Sequence, residues 1–344
     1  MQLGLAAAVA QHAFWIEGAV SEQIATRYRR FAEVEAHDRS PLYEAFALGV
    51  AADAFALEFL ATLPDEKRQP NLLFAALRHV AGTPHDWPTF RSLLREHVAA
   101  VRATMLTRRT QTNEPGRCAT LLPVLTRLPQ PLALIEVGAS AGLCLLPDRY
   151  GYDYGHRQLT PASPDAPVFP CRANPVTPLP RAQPRVAWRR GLDLHPVDVA
   201  DATHCAWLET LVWPEQSDRL CRLRGALAVA RRDPPHVAQG DLLTDLQACA
   251  QQAPRDATLV VFHSAVLAYV TDAASRDAFA RAVRELGAVW VSNEVPGVFP
   301  SIRERLALPG PRGAFMLAVD GVPVAWTDPH GGWIDWIDAQ EGSE

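Results

Sequence analysis

The stretch Leu132-Ala-Leu-Ile-Glu-Val-Gly-Ala-Ser-Ala-Gly142 decides how this chain is read. Six residues, apolar except for Glu136, run into small residues at 138, 140 and 142. A short apolar run that stops at glycine predicts a strand buried on both faces, as in a parallel sheet. Glycines just past such a strand allow a ligand to approach the backbone. A helix beginning at Leu143-Cys-Leu-Leu146 would add free N–H donors at its first turn.

Outward from that loop, the downstream chain alternates. Apolar runs at 186–188, 236–238, 259–262 and 288–292 predict further strands, with helices between them at 202–212, 217–230, 242–252 and 274–286. Residues 315–319 and 322–326 flank Asp320-Gly321, the turn dipeptide of a hairpin. The expectation is a seven-stranded sheet in the order 3-2-1-4-5-7-6, closed by that antiparallel pair. Eight prolines between 160 and 185 exclude helix and predict an extended excursion, either a lid or a long ordered connection.

Upstream, residues 1–128 carry almost no strand signal. Apolar residues recur at helical spacing, as in Ala45, Leu48, Ala52, Phe55 and Phe59, and prolines mark the boundaries. The domain reading is therefore an all-α region over 1–128 and a Rossmann-like α/β domain over 129–344.

Composition narrows the function classes. In 344 residues the net charge is -5, without the basic stripe of a nucleic-acid binder. The six cysteines at 118, 144, 171, 205, 221 and 249 form no Cys-x-x-Cys pair, which argues against zinc knuckles and thioredoxin-type chemistry. The opening Met1–Ala10 is apolar but lacks a basic flank, and His12 and Glu17 soon interrupt it. It is read as neither a signal peptide nor a membrane span, which makes the expected setting cytoplasmic.

The acidic residue before alternating small residues, the strand–helix alternation and the terminal hairpin together resemble class I S-adenosylmethionine-dependent methyltransferases, over about residues 130–330. That resemblance implies S-adenosylmethionine as cofactor. Glu136, Gly138, Ser140 and Gly142 would hold its methionine half, Asp153 or Asp193 the ribose, and Asp241 the adenine edge. A second resemblance rests on Gln69-Pro-Asn-Leu-Leu-Phe-Ala75, Gln111-Thr-Asn-Glu114 with Gly116-Arg117, Val137–Leu143, Leu211-Val-Trp-Pro-Glu-Gln216 and Val261-Phe-His-Ser264. These pieces resemble the uncharacterised bacterial family DUF2332, which brings no activity with it.

The residues themselves suggest where chemistry would sit. His263 and Ser264 end one predicted strand, and Asn293 and Glu294 end the next. Open α/β sheets bind ligands at that edge, and a histidine there suits general-base work. Thr110–Glu114 reads either as a helix cap or as an active-site wall in which Gln111, Asn113, Glu114 and Arg117 offer donors, acceptors and a carboxylate clamp. His330 reads as a turn residue, and Ser264 lacks the Gly-x-Ser-x-Gly elbow of a hydrolase. Leu211–Gln216 reads as a helix end whose polar residues face solvent or the cleft. The leading expectation is methyl transfer to a small polar acceptor, with His263, Asn293, Glu294, Glu114 and Asn113 as the catalytic set. The alternatives are a non-catalytic metabolite-binding protein of the same fold, or an enzyme that uses another cofactor or a metal.

Overall fold

The computed structural model describes residues 18–111, 113–306 and 309–337, so the opening segment read above for leader character lies outside the described residues. The chain divides into two compact units. One comprises the chain up to Thr112 with Ala206–Arg219; the other comprises Asn113–Cys205 and Leu220–Glu344.

The first unit is helical. Residues 18–30 and the segments Pro41–Ala52, Ala54–Ala61, Pro70–Ala81, Trp87–Glu96 and Val98–Thr107 are helices. Their starts follow from local chemistry. Ser40, Asp53 and Asp86 accept hydrogen bonds from backbone N–H groups three residues on, and proline opens the helices at 41 and 70. The core is aromatic, with Phe46, Phe74 and Phe90 packed at ring separations of 4.6–5.7 Å. Leu211–Gln216 belongs to this core: Trp213 stacks among the rings and donates to Asn71, while Glu215 accepts from Ser40 Oγ at 2.9 Å. Its role there is structural.

The second unit is a mixed α/β layer built on a nine-stranded sheet. Its parallel part contains β1 (Leu132–Val137), β6 (Val186–Asp193), β7 (Val237–Gln239), β8 (Thr258–Ser264) and β9 (Val289–Glu294). β10 (Phe315–Val319), β11 (Val322–Thr327) and β12 (Trp333–Trp336) follow as an antiparallel meander, and β5 (Arg172–Ala173) covers the far edge. A separate three-stranded sheet holds β2 (Gly151–Asp153), β3 (Gln158–Leu159) and β4 (Val168–Pro170). The proline-rich segment supplies β4 and β5, so it is extended and ordered.

The full order is β5-β12-β11-β10-β9-β8-β1-β6-β7. In the seven-strand numbering used above, this is 3-2-1-4-5-6-7, which corrects the expected 3-2-1-4-5-7-6. The first strand of the hairpin pairs with β9, antiparallel, instead of the second. The connection before β10 explains this. Among its described residues it carries only the short helical pieces Pro296–Val298 and Pro300–Arg303, without a long helix for a crossover to a parallel strand. The chain therefore returns directly beside the strand it has just left.

Candidate functional site

The order of the strands reverses at β1. The chain passes to β6 and β7 on one side and to β8 and β9 on the other. Open α/β sheets offer their ligand crevice at the carboxyl ends of the strands flanking such a point. Strand register then settles which side chains share a face. Glu136 pairs with Phe262 and with Gly191, and Ser264 pairs with Asn293. Because side chains alternate along a strand, Glu136, Asp193, Ser264 and Asn293 lie on one face. His263 pairs with Ser292, two residues before Glu294, so His263 and Glu294 lie on the other.

That second pair is buried, and three of its four polar atoms are engaged; Glu294 Oε2 has no hydrogen-bond partner. His263 is wholly buried, with Phe279, Trp290 and Phe299 around its ring. The Trp290 indole N–H can only donate, and it reaches His263 Nε2 at 3.0 Å. Nε2 therefore accepts, and the ring proton sits on Nδ1, which donates to Glu294 Oε1 at 2.7 Å. Neither nitrogen is left to take a proton from a substrate. The expectation of His263 as general base is corrected on this ground. Glu294 Oε1 also accepts from Val266 N and Leu267 N, at 2.9 and 3.1 Å. The pair thus pins the turn after β8, where Ala265 has φ 57°.

The glycine loop is committed too. The N–H groups of Gly138 and Ala139 donate to Leu192 O, that of Ser140 to Asp193 Oδ2, that of Ala141 to Asn113 Oδ1, and that of Gly142 to Ala139 O. No N–H from 138 to 142 is left to receive a phosphate. Gly138 and Gly142 have φ of 70° and 67°, a region that favours glycine. A Cβ on Gly138 would collide with Val266, and one on Gly142 would meet Pro235 at 2.8 Å. Here the missing side chains serve protein packing. Leu143–Leu145 is a single 3-10 turn instead of the expected helix start.

Asn113 accounts for much of this geometry. Its Nδ2 donates to Ser140 Oγ at 2.8 Å while its Oδ1 receives Ala141 N, so it clamps the loop. The helix after it begins only at Arg117, with Gly116 as its N-cap, so Asn113 does not cap it. Glu114 is buried and accepts from Gly116 N at 3.1 Å. Asp193 ends β6 beside the loop, its second oxygen receiving His195 N. Asp153 lies instead on the small sheet and caps its own turn at Gly155, which leaves Asp193 as the acid at this edge. Asp241 is half-buried and accepts from Leu243 N and Thr244 N in the turn after β7.

Two charged side chains stand out on the Glu136 face. Arg117 is buried; its Nε donates to Pro329 O at 2.8 Å and its Nη1 to Ser264 O at 2.9 Å. Among the described residues no carboxylate forms an ion pair with it. Glu136 is also buried, and its Oε2 has no hydrogen-bond partner. Burial pushes its carboxyl well above the usual range, reinforced by the Cys144 thiol and only partly offset by Arg117. The sequence pointed to Arg117 but not to Thr327, whose hydroxyl donates to Asn293 Oδ1 at 2.7 Å. Among the described residues no cluster of three or more His, Cys, Asp or Glu is placed to hold a metal.

A family model described as an uncharacterised protein conserved in bacteria, DUF2332, matches residues 25–336. The chain belongs to the DUF2332 family. No curated protein matches the sequence. Among solved structures, a possible exported protein from Bordetella parapertussis shares 12% identity over 83% of this chain and 74% of that one, at a TM-score of 0.28. A likeness at that score carries no structural argument. No helix among the described residues is long and apolar enough to cross a membrane.

Proposed function

We propose that the sheet unit binds S-adenosylmethionine at the carboxyl end of β1 and directs its methyl group to a small polar acceptor. The observation that carries this reading is Glu136: a buried carboxyl beside the switch point, with one oxygen lacking any partner. Such an oxygen costs free energy unless a ligand supplies a donor, and an ammonium group is the matching donor. The cofactor has an ammonium and lacks phosphate, which suits a loop with no N–H left for phosphate oxygens. Glu136 would hold the amino group, and Asp193 would face the ribose with its remaining lone pairs. When bound, the cofactor supplies an electrophilic methyl group. Ser264 and Asn293 would position the acceptor, and the rate would come from alignment more than from a dedicated base.

A binding-only role is the second reading. It is supported by the engagement of both His263 nitrogens on the opposite face. Turnover of S-adenosylmethionine separates the two, since a sensor would bind the cofactor without consuming it.

Calorimetry of the full chain with S-adenosylhomocysteine tests the shared claim. We expect one site per chain, with affinity that rises with pH until the Glu136 carboxyl is ionised, because the ammonium needs a charged partner. Glu136→Gln should weaken binding by about tenfold or more, the loss of a hydrogen bond between charged groups. A folded wild type that takes up none would remove the reading.

A further inference from the structure

Three side chains form a line across the ends of β8, β9 and β11. Thr327 Oγ1 donates to Asn293 Oδ1 at 2.7 Å, and Asn293 Nδ2 donates to Ser264 Oγ at 3.3 Å. An amide can be turned over, so the direction of this chain needs an argument of its own. Burial provides it. Thr327 is 0% exposed and Ser264 is 8% exposed. Were the amide reversed, Ser264 would donate inward and the Thr327 hydroxyl proton would be left without an acceptor in the interior, the costlier arrangement. The chain therefore runs outward from Thr327, and Ser264, whose Oγ already accepts, has its hydroxyl proton left to give.

A second donor meets the same residue. The Arg117 guanidinium rests on the Ser264 carbonyl through Nη1, and its Nη2 donates to none of the described residues. We propose that Ser264 and Arg117 form a subsite for a carboxylate carried by the acceptor substrate. Two unspent donors, the Ser264 hydroxyl and Arg117 Nη2, match the two oxygens of a carboxylate. A phosphate would ask for more, and the neighbouring loop N–H groups are already spent. The inference rests on the functional reading above for the word acceptor, while the subsite itself rests on the donors alone.

Ligand-observed NMR titration of the full chain with sodium propanoate tests it, with propanamide as the neutral isostere and inorganic phosphate as a third probe. Propanoate should bind saturably, propanamide should not displace it, and phosphate should bind more weakly. Ser264→Ala should weaken propanoate about tenfold, as expected for one hydrogen bond to a charged group. Thr327→Val should weaken it too, by letting Asn293 turn over and draw the Ser264 proton inward; a purely local role for Ser264 would leave that variant unaffected. Arg117 also holds two carbonyls, so its removal can unfold the edge. Ser264→Ala and Thr327→Val, with melting curves showing them folded, therefore carry the test. Unchanged binding in Ser264→Ala, equal displacement by propanamide, or no saturable propanoate binding would each overturn the subsite. Binding of S-adenosylhomocysteine in the same samples keeps the claims apart: loss of propanoate binding alone removes the subsite, and loss of the cofactor analogue alone removes the methyl-transfer reading.

Discussion

Glu136 sits at the end of a strand whose other residues are all apolar, and burial has consequences for it whether or not a ligand is present. Its pKa in the folded chain lies well above the ordinary 4.5. The folded state therefore holds that proton more tightly than the unfolded state does. By linkage, stability is fully present below the unfolded pKa and falls as pH rises from there through the raised folded pKa. Glu136→Gln keeps the shape and removes the titration. We expect the variant to melt at a higher temperature than the wild type at neutral and alkaline pH, with the gap closing as pH falls below about 4.5. Melting curves across pH check this; a gap independent of pH would mean that Glu136 is not the titrating group. A stability gain paired with a loss of binding is the signature of a residue strained for function. Glu136 was legible in the sequence from its place ahead of the glycines. Its orphan oxygen was not, because that depends on Arg117 being drawn away to two carbonyls.

At the scale of strands, the ends of β8 and β9 hold two different devices back to back. Sequence proximity joined Asn293 and Glu294 into one candidate site, yet adjacent residues on a strand point to opposite faces. Applied to Trp290, Ser292 and Glu294, that alternation would have placed Glu294 with the indole and away from Asn293. Removing Glu294 leaves the His263 proton and two backbone N–H groups without their acceptor. Glu294→Ala should cost about 3 kcal/mol or more, because three buried donors lose their acceptor at about 1–3 kcal/mol each. Denaturant unfolding measures it. A loss under about 1 kcal/mol, small even for an ordinary hydrogen bond, combined with abolished ligand binding would place the pair back in the site. The strands themselves were legible because their apolar runs are short and bounded by glycine or proline. The pairing of the last two strands was not. An Asp-Gly turn shows that two strands are neighbours but not which of them joins the sheet, and the short helical pieces before β10 decided that.

Across the whole molecule, helical periodicity pointed to an all-α region over 1–128 and strand–helix alternation to the sheet, while the helix Arg117–Leu125 falls in the second unit. Ala206–Arg219 follows neither cue: it lies between strands in sequence, yet Trp207 and Trp213 pack into the aromatic helical core. Only tertiary contact could show this. What the sheet unit then offers is a set of strand ends at the switch point whose polar groups divide between two faces, His263 and Glu294 on one and Glu136, Asp193, Ser264 and Asn293 on the other. The central claim is that the ligand lies on the Glu136 face, between Glu136 and Ser264. A crystal structure of the full chain with S-adenosylhomocysteine tests this most directly. The account predicts ligand density at the carboxyl end of β1, with its amino group on the Glu136 carboxyl and the His263–Glu294 pair undisturbed. Density on the His263 side of the sheet, or none at a saturating concentration of ligand, would contradict it.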